Sequence, residues 1–193
     1  MILQTAIDTA RGVLNDPDAV TYSDVRLLSY ANDALDAILT LAPQWFHTRA
    51  ALACVAGTTE QTLSFVNAHA LVTVERVTGG NAVTPCDRMT LDRYNPAWPT
   101  DPAAPALNWM PSASSQVAFS IYPKAPTGQS LDVLYVRTPS EYAATADTGL
   151  PNTLSPAVAD YIVAMAMSAD DEHVVAQRAA QFMSAFTAFF GGS

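Results

Sequence analysis

The sequence predicts an α+β protein in which helices from both ends of the chain form a four-helix bundle. A mainly antiparallel β module is inserted between the second and third helices. Apolar residues recur at helical spacing in residues 1–48 and 141–193. Short alternating or β-branched runs, separated by turn residues, fill residues 49–140. The two helical ends are also strongly acidic, whereas the middle is not, which suggests that the ends belong together.

The N-terminal segment predicts a helical hairpin. One apolar face marks the first helix, at Ile2, Leu3, Ala6, Ile7, Ala10, Val13 and Leu14. Residues 15–18 carry a turn signal that ends it. The second helix is expected to begin at Thr21 or Ser23, where Thr21 and Asp24 match a capping box. Pro43 ends it, because proline has no amide hydrogen to donate.

The middle segment predicts three β-hairpins. Their strand pairs are residues 50–55 with 62–66, 71–78 with 82–85, and 116–122 with 130–137. Residues 95–111 are proline-rich and predict a long ordered loop, preceded by a helical turn near residues 90–94. The sequence assigns this loop no role. Of the tryptophans, we expect Trp45 in the core and Trp98 or Trp109 at an interface.

The C-terminal segment predicts a second helical hairpin. Ser155 is expected to cap its first helix, with Pro156 at the first helical position. Acids at residues 170–172 suit the start of a final helix, where the helix dipole favours negative charge. That helix is expected to bury Phe182 and Phe186 and to end at Gly191-Gly192.

Charge is distributed unevenly along the chain. Residues 1–48 have a net charge of −4, residues 49–140 of zero and residues 141–193 of −5. Lys124 is the single lysine. Contacts with phosphate come from clusters of Lys and Arg, so a chain of net charge −9 is not expected to bind nucleic acid.

Enzyme and cofactor signatures are missing from the sequence. There is no G-x-S-x-G motif, and Gly79-Gly80 leads to no Lys-Ser or Lys-Thr of a phosphate loop. Cys54 and Cys86 lack metal spacing and are expected to be reduced. His47, His69 and His173 are scattered. We therefore predict no catalytic residue, no metal and no cofactor.

Three phrases of the sequence resemble a known family. They are "ARGVLNDPDAVTYSDVRLLSYANDALDAILTLAPQWF" at residues 10–46, "SLDVLYVRTPSEY" at residues 130–142 and "LPNTLSPAVADYIVAMAMSADDE" at residues 150–172. In this order, around a β insertion, they resemble the bacteriophage head-to-tail adaptors, the tail tubular protein A type of podophages and its siphophage relatives. The resemblance covers about half of the chain.

The resemblance implies a structural role in the virion. Adaptors of this type form a ring, usually of twelve subunits, beneath the portal, where they extend the DNA channel and join the tail. The expected partners are the portal protein, neighbouring copies of the chain and a downstream tail or nozzle protein. DNA is expected to pass through without specific binding. The expected location is the virion neck, after synthesis in the host cytoplasm and without a membrane.

Two groups of residues are candidates for that role. The portal or subunit interface is predicted at the C-terminal end, at Phe186, Phe189, Phe190, Gly191, Gly192 and Ser193. A frayed terminus is the alternative. The channel-lining acids are predicted to be Asp33, Asp36, Asp170, Asp171 and Glu172. For Asp33 and Asp36, the alternative is an ordinary solvated helix face. For the other three, the alternative is the acidic start of a helix.

Two other functions stay open at this point. The first is another neck or tail-completion protein with a similar helical core. The second is a small acidic ligand-binding or hydrolytic module, with His173 and its acidic neighbours as the reactive groups.

Overall fold

The computed structural model describes residues 1–169 and 176–191. Within them the chain forms five α-helices and two β-sheets, which confirms the α+β class. Contacts between residues divide the chain into two compact units. One is Met1–Phe46 with Pro139–Ser193, and the other is His47–Thr138. We refer to them as the helical unit and the β unit.

The helical unit begins with α1 (Leu3–Leu14) and α2 (Asp24–Leu41). Asn15 ends α1 in the left-handed conformation, at φ 56°. The side chain of Ser23 caps α2 by accepting the N–H of Arg26 at 3.3 Å. The predicted capping box at Thr21 is therefore wrong, because Ser23 is the residue adjacent to the first helical turn.

A buried polar network holds the turn between α1 and α2. The Asp16 carboxylate accepts the backbone N–H groups of Val20 at 2.9 Å, Thr21 at 3.2 Å and Tyr22 at 2.8 Å. The Arg11 guanidinium lies 3.3 Å from the same carboxylate and also donates to Asp24 at 2.5 Å. These interactions, above all the Tyr22 N–H, lower the pKa of Asp16.

The C-terminal part of the helical unit contains α4 (Ser155–Ala169) and α5 (Ala176–Phe190). A 3₁₀ turn at Asn152–Leu154 leads directly into α4. Ser155 is consequently already helical, with φ −56° and ψ −42°, and does not cap the helix as predicted. Among the helices of the described residues, none combines the length and apolarity required to cross a membrane.

Helix α4 is apolar around most of its circumference. Its buried apolar residues are Ala157, Val158, Ala159, Ile162, Val163, Ala164, Ala166 and Met167. A helix of this kind requires neighbours on several sides, and α4 packs against α1, α2 and α5. Burying each of the larger aliphatic side chains contributes about 1.5–3 kcal/mol. Helix α4 is therefore the centre of the helical unit's core.

The β unit contains two sheets. One has the strand order β1 (His47–Ala53), β7 (Ser130–Arg137), β3 (Ala68–Val77). The other has the order β2 (Glu60–Thr62), β6 (Ala118–Tyr122), β5 (Asn108–Pro111), β4 (Thr84–Pro85). All pairings are antiparallel except that of β4 with β5. The core is formed by Leu52, Leu63, Val74, Val83, Ala106, Trp109, Phe119, Ile121, Ala125, Leu131, Val133 and Tyr135.

Two of the three predicted hairpins are wrong. β1 pairs with β7 and not with β2, and β6 pairs with β2 and not with β7. The chain therefore changes sheet between β1 and β2 and again between β6 and β7, where two of the hairpins were predicted. Between β1 and β2, the side-chain amide of Gln61 replaces a strand partner: it accepts the Val55 N–H at 2.7 Å and donates to the Val55 carbonyl at 3.0 Å. The turn of the remaining hairpin, between residues 71–78 and 82–85, does form at Gly79, with an isolated bridge between Arg76 and Ala82.

The proline-rich segment has more structure than the predicted loop. Helix α3 (Arg88–Tyr94) precedes it, and it contains a 3₁₀ turn at Trp98–Thr100 and strand β5. Trp98 is buried, and its indole N–H donates to Asp92 at 2.7 Å. Trp109 is buried as well. Neither is available as an interface residue, and Trp45, expected in the core, is 39% exposed.

The Asp16 network predicts a pH-dependent contribution to stability. The folded state lowers the pKa of Asp16 from 3.8. The stability that the ionised Asp16 carboxylate contributes is therefore present above that value and is lost as the pH falls below it. We expect Asp16→Asn to lower the free energy of unfolding at pH 7, and the difference from the parent to shrink at pH 3, as measured by urea titration. The exposed Asp18→Asn is the control. An equal difference at both pH values would contradict the assignment.

Candidate functional site

The aromatic residues of α5 divide into an inner and an outer set. Phe186 and Phe190 are 1% and 7% exposed, whereas Phe189 is 47% exposed. The Phe186 ring lies 5.0 Å from Tyr161 of α4 and 5.3 Å from Phe190. Phe186 and Phe190 are spaced i, i+4 and so share the buried stripe of the helix. Phe189 lies off that stripe and is the large apolar side chain left on the surface at the end of α5.

The predicted C-terminal interface is therefore divided by the structure. Phe186 and Phe190 are core residues, while Phe189 and Gly191 are exposed. Gly192 and Ser193 lie outside the described residues. Phe182, expected in the core, is half-buried, with the Arg178 guanidinium 5.9 Å from the centre of its ring.

A second surface is the acidic face of α2. Asp33 and Asp36 are both exposed and border an open pocket of about 390 Å³. Glu141 also lines the pocket, and none of its lining residues is basic. The pKa of Tyr161 is raised by burial and then by the charges of Asp33 and Asp36. Of the predicted channel acids, Asp170, Asp171 and Glu172 lie outside the described residues.

A pair of hydrogen bonds attaches the wall of this pocket to α2. The Asn32 side chain donates to the Tyr142 carbonyl at 3.1 Å and accepts the Tyr142 N–H at 2.9 Å. This two-way bond fixes the segment that brings Glu141 beside Asp33 and Asp36. Asn32 and Tyr142 are separated by 110 positions. No local pattern in the sequence connects them, so their grouping with Glu141 was not predicted.

The β unit contains a larger open groove, of about 890 Å³, on its four-stranded sheet. Across the sheet, Glu60 is opposite Ser120, and Ser120 opposite Met110. Cys86 and Arg88 complete one side. The groove contains no histidine, so no serine or cysteine in it has an imidazole as a base.

Metal ligands do not cluster in the described part of the chain. Within residues 1–169 and 176–191, no group of three or more His, Cys, Asp or Glu side chains is arranged to hold a metal ion. His173, the reactive residue of the hydrolytic alternative, lies outside that range. Cys54 and Cys86 are half-buried free thiols, and burial raises the pKa of Cys54.

Comparison with known proteins assigns the family. The model of the family described as SU10 adaptor protein matches residues 1–193. The chain belongs to the SU10 adaptor family. This confirms the resemblance to phage head-to-tail adaptors noted in the sequence. No curated protein gives a significant match. Among solved structures, the chain is similar to one described as "Neck of empty GTA particle computed with C6 symmetry", at 18% identity, with 94% of this chain and 91% of that chain covered and a TM-score of 0.30.

The division of the α5 aromatics predicts that the two rings contribute unequally to stability. Phe186→Ala removes a buried ring and is expected to lower the free energy of unfolding by about 3–5 kcal/mol. Phe189→Ala removes an exposed ring whose main aromatic contact is Phe190, 5.0 Å away, and is expected to cost about 1 kcal/mol or less. Chemical denaturation of both variants measures the difference. Equal costs would contradict the burial assigned to these rings.

Proposed function

We propose that this adaptor family member joins head to tail in a tailed phage, as a ring of twelve copies beneath the portal. The observation that carries the proposal, beside the family, is the separation of charge between the two units. The helical unit has twelve acids and three bases, and the β unit has six of each. The whole net charge of −9 therefore belongs to the helical unit.

This charge suits the wall of a channel through which DNA passes. DNA phosphates are repelled by a surface of like charge and held by clusters of Lys and Arg. On the acidic face of α2, Asp33 and Asp36 are exposed and none of the residues lining their pocket is basic. We infer that this face lines the channel, so that DNA moves past the adaptor and is not specifically bound.

The four long helices are proposed to act as one bundle in that wall. Helix α4 packs against α1, α2 and α5, and α1 and α2 pack against each other. The Asn32–Tyr142 hydrogen bonds attach the returning chain to α2. A wall segment built in this way presents its acids from a rigid framework rather than from loops.

Phe189 is proposed as the residue that docks on the portal or on an adjacent subunit. It is exposed, and it lies two residues from Gly191 at the end of α5. An aromatic ring that becomes buried at an interface is worth about 2 kcal/mol or more. Phe186 and Phe190 support it from within the helical unit.

Portal attachment tests this role. We expect the purified chain to co-sediment with portal rings, and Phe189→Ser to weaken attachment by at least about tenfold, since the variant loses an interfacial aromatic residue. Val66→Ser, in the β unit, is the matched control because Val66 is likewise an apolar side chain on the surface. Attachment reduced equally by both variants would argue against Phe189, and no attachment of the parent chain would refute the adaptor role proposed for it.

A further inference from the structure

One edge of the three-stranded sheet is open. β1 pairs with β7 along its full length, from His47 opposite Val136 to Ala53 opposite Ser130. On its other side, β1 has no backbone partner among the described residues. A free edge strand of seven residues is long enough to pair with another strand.

The hydrogen-bond pattern shows which groups of β1 point to the open side. Next to the ladder, the Cys54 N–H donates to the carbonyl of Gln129 at 2.9 Å, so Cys54 bonds towards β7. Bonded and non-bonded pairs alternate in an antiparallel ladder. Ala50 and Leu52 therefore also bond towards β7. Arg49, Ala51 and Ala53 direct their N–H and C=O groups outwards.

The other sheet edges are short or covered. The outer side of β3 is occupied in part: the Leu71 N–H donates to the Gln116 carbonyl at 2.8 Å, and the Val83 N–H to the Glu75 carbonyl at 3.1 Å. β2 and β4 have only three and two residues. β1 contains no proline or lysine, the residues that commonly prevent pairing at an edge.

We propose that the open edge of β1 pairs with β1 of a second copy of the chain, antiparallel and centred on Ala50. In that register Arg49 is opposite Ala51 of the second copy, and His47 is opposite Ala53. Each long side chain then faces a small one, and no like charges are opposed. All the outward N–H and C=O groups of both strands find partners, which joins two three-stranded sheets into one of six strands.

The paired form is distinct from the proposed ring. Antiparallel pairing about Ala50 is two-fold, so the two chains point in opposite directions, whereas a ring repeats one orientation. We therefore assign the pair to the free chain and not to the contacts of the ring. Its existence does not depend on the adaptor role.

Proline substitution on the open edge tests the pairing. Ala51→Pro removes an N–H that points outwards and leaves the bonds to β7 intact. We expect the full chain to dimerise in sedimentation-velocity experiments, and Ala51→Pro to weaken the dimer at least tenfold, because two hydrogen bonds are lost per pair. Ala51→Val keeps the N–H and should dimerise like the parent.

A second variant and a folding control complete the experiment. Ala53→Pro also removes an outward N–H and should weaken the dimer similarly, while circular dichroism of both proline variants should match the parent. A parent chain that stays monomeric at roughly 100 µM, or a dimer that Ala51→Pro and Ala53→Pro leave unchanged, would overturn the proposal. Portal attachment of Ala51→Pro should be retained, which separates this outcome from the test of Phe189.

Discussion

Burial of α4 is the constraint on which the rest of the helical unit depends. Its apolar residues extend around most of the helix, from Val158 and Ile162 on one side to Ala159 and Val163 on others. A single neighbouring helix leaves part of such a surface in water. Covering it requires α5 and also α1 and α2, which lie more than a hundred residues earlier in the chain.

The β unit is compatible with this arrangement because its two ends lie together. Its first strand, β1, pairs with its last, β7, and His47 is opposite Val136. The chain consequently enters and leaves the β unit at neighbouring positions. An insertion of this kind leaves the two halves of the helical unit free to meet around α4. Polar contacts then hold the connecting segments of the helical unit. Asp16 holds the turn between α1 and α2, and Asn32 holds the segment at Tyr142.

Helices were predictable from the sequence because their signals are local. Helical periodicity located α1, α2 and α4 within a few residues. The acidic character that both ends share was the reason to predict that they belong together. Strand pairing was not predictable in the same way. The turn residues after β1 and β6 are compatible with a hairpin, but burial of Phe119 and Leu131 between two sheets sends consecutive strands to different partners.

The candidate site was predictable only in part. Adjacent Phe189 and Phe190 cannot both lie on one buried stripe, yet the sequence does not show which is exposed; the contact of Phe190 with Phe186 decides it. The exposed acids of α2 follow from its periodicity. Glu141 beside them depends on a long-range hydrogen bond that no sequence pattern indicates.

Electron cryomicroscopy of the chain bound to portal rings is the decisive experiment for the proposed channel wall. We expect a closed ring of copies beneath the portal, with the helical unit at the inner wall and Asp33 and Asp36 facing the channel. A ring whose inner wall is formed by the β unit, with the acids of α2 on the outside, would contradict it.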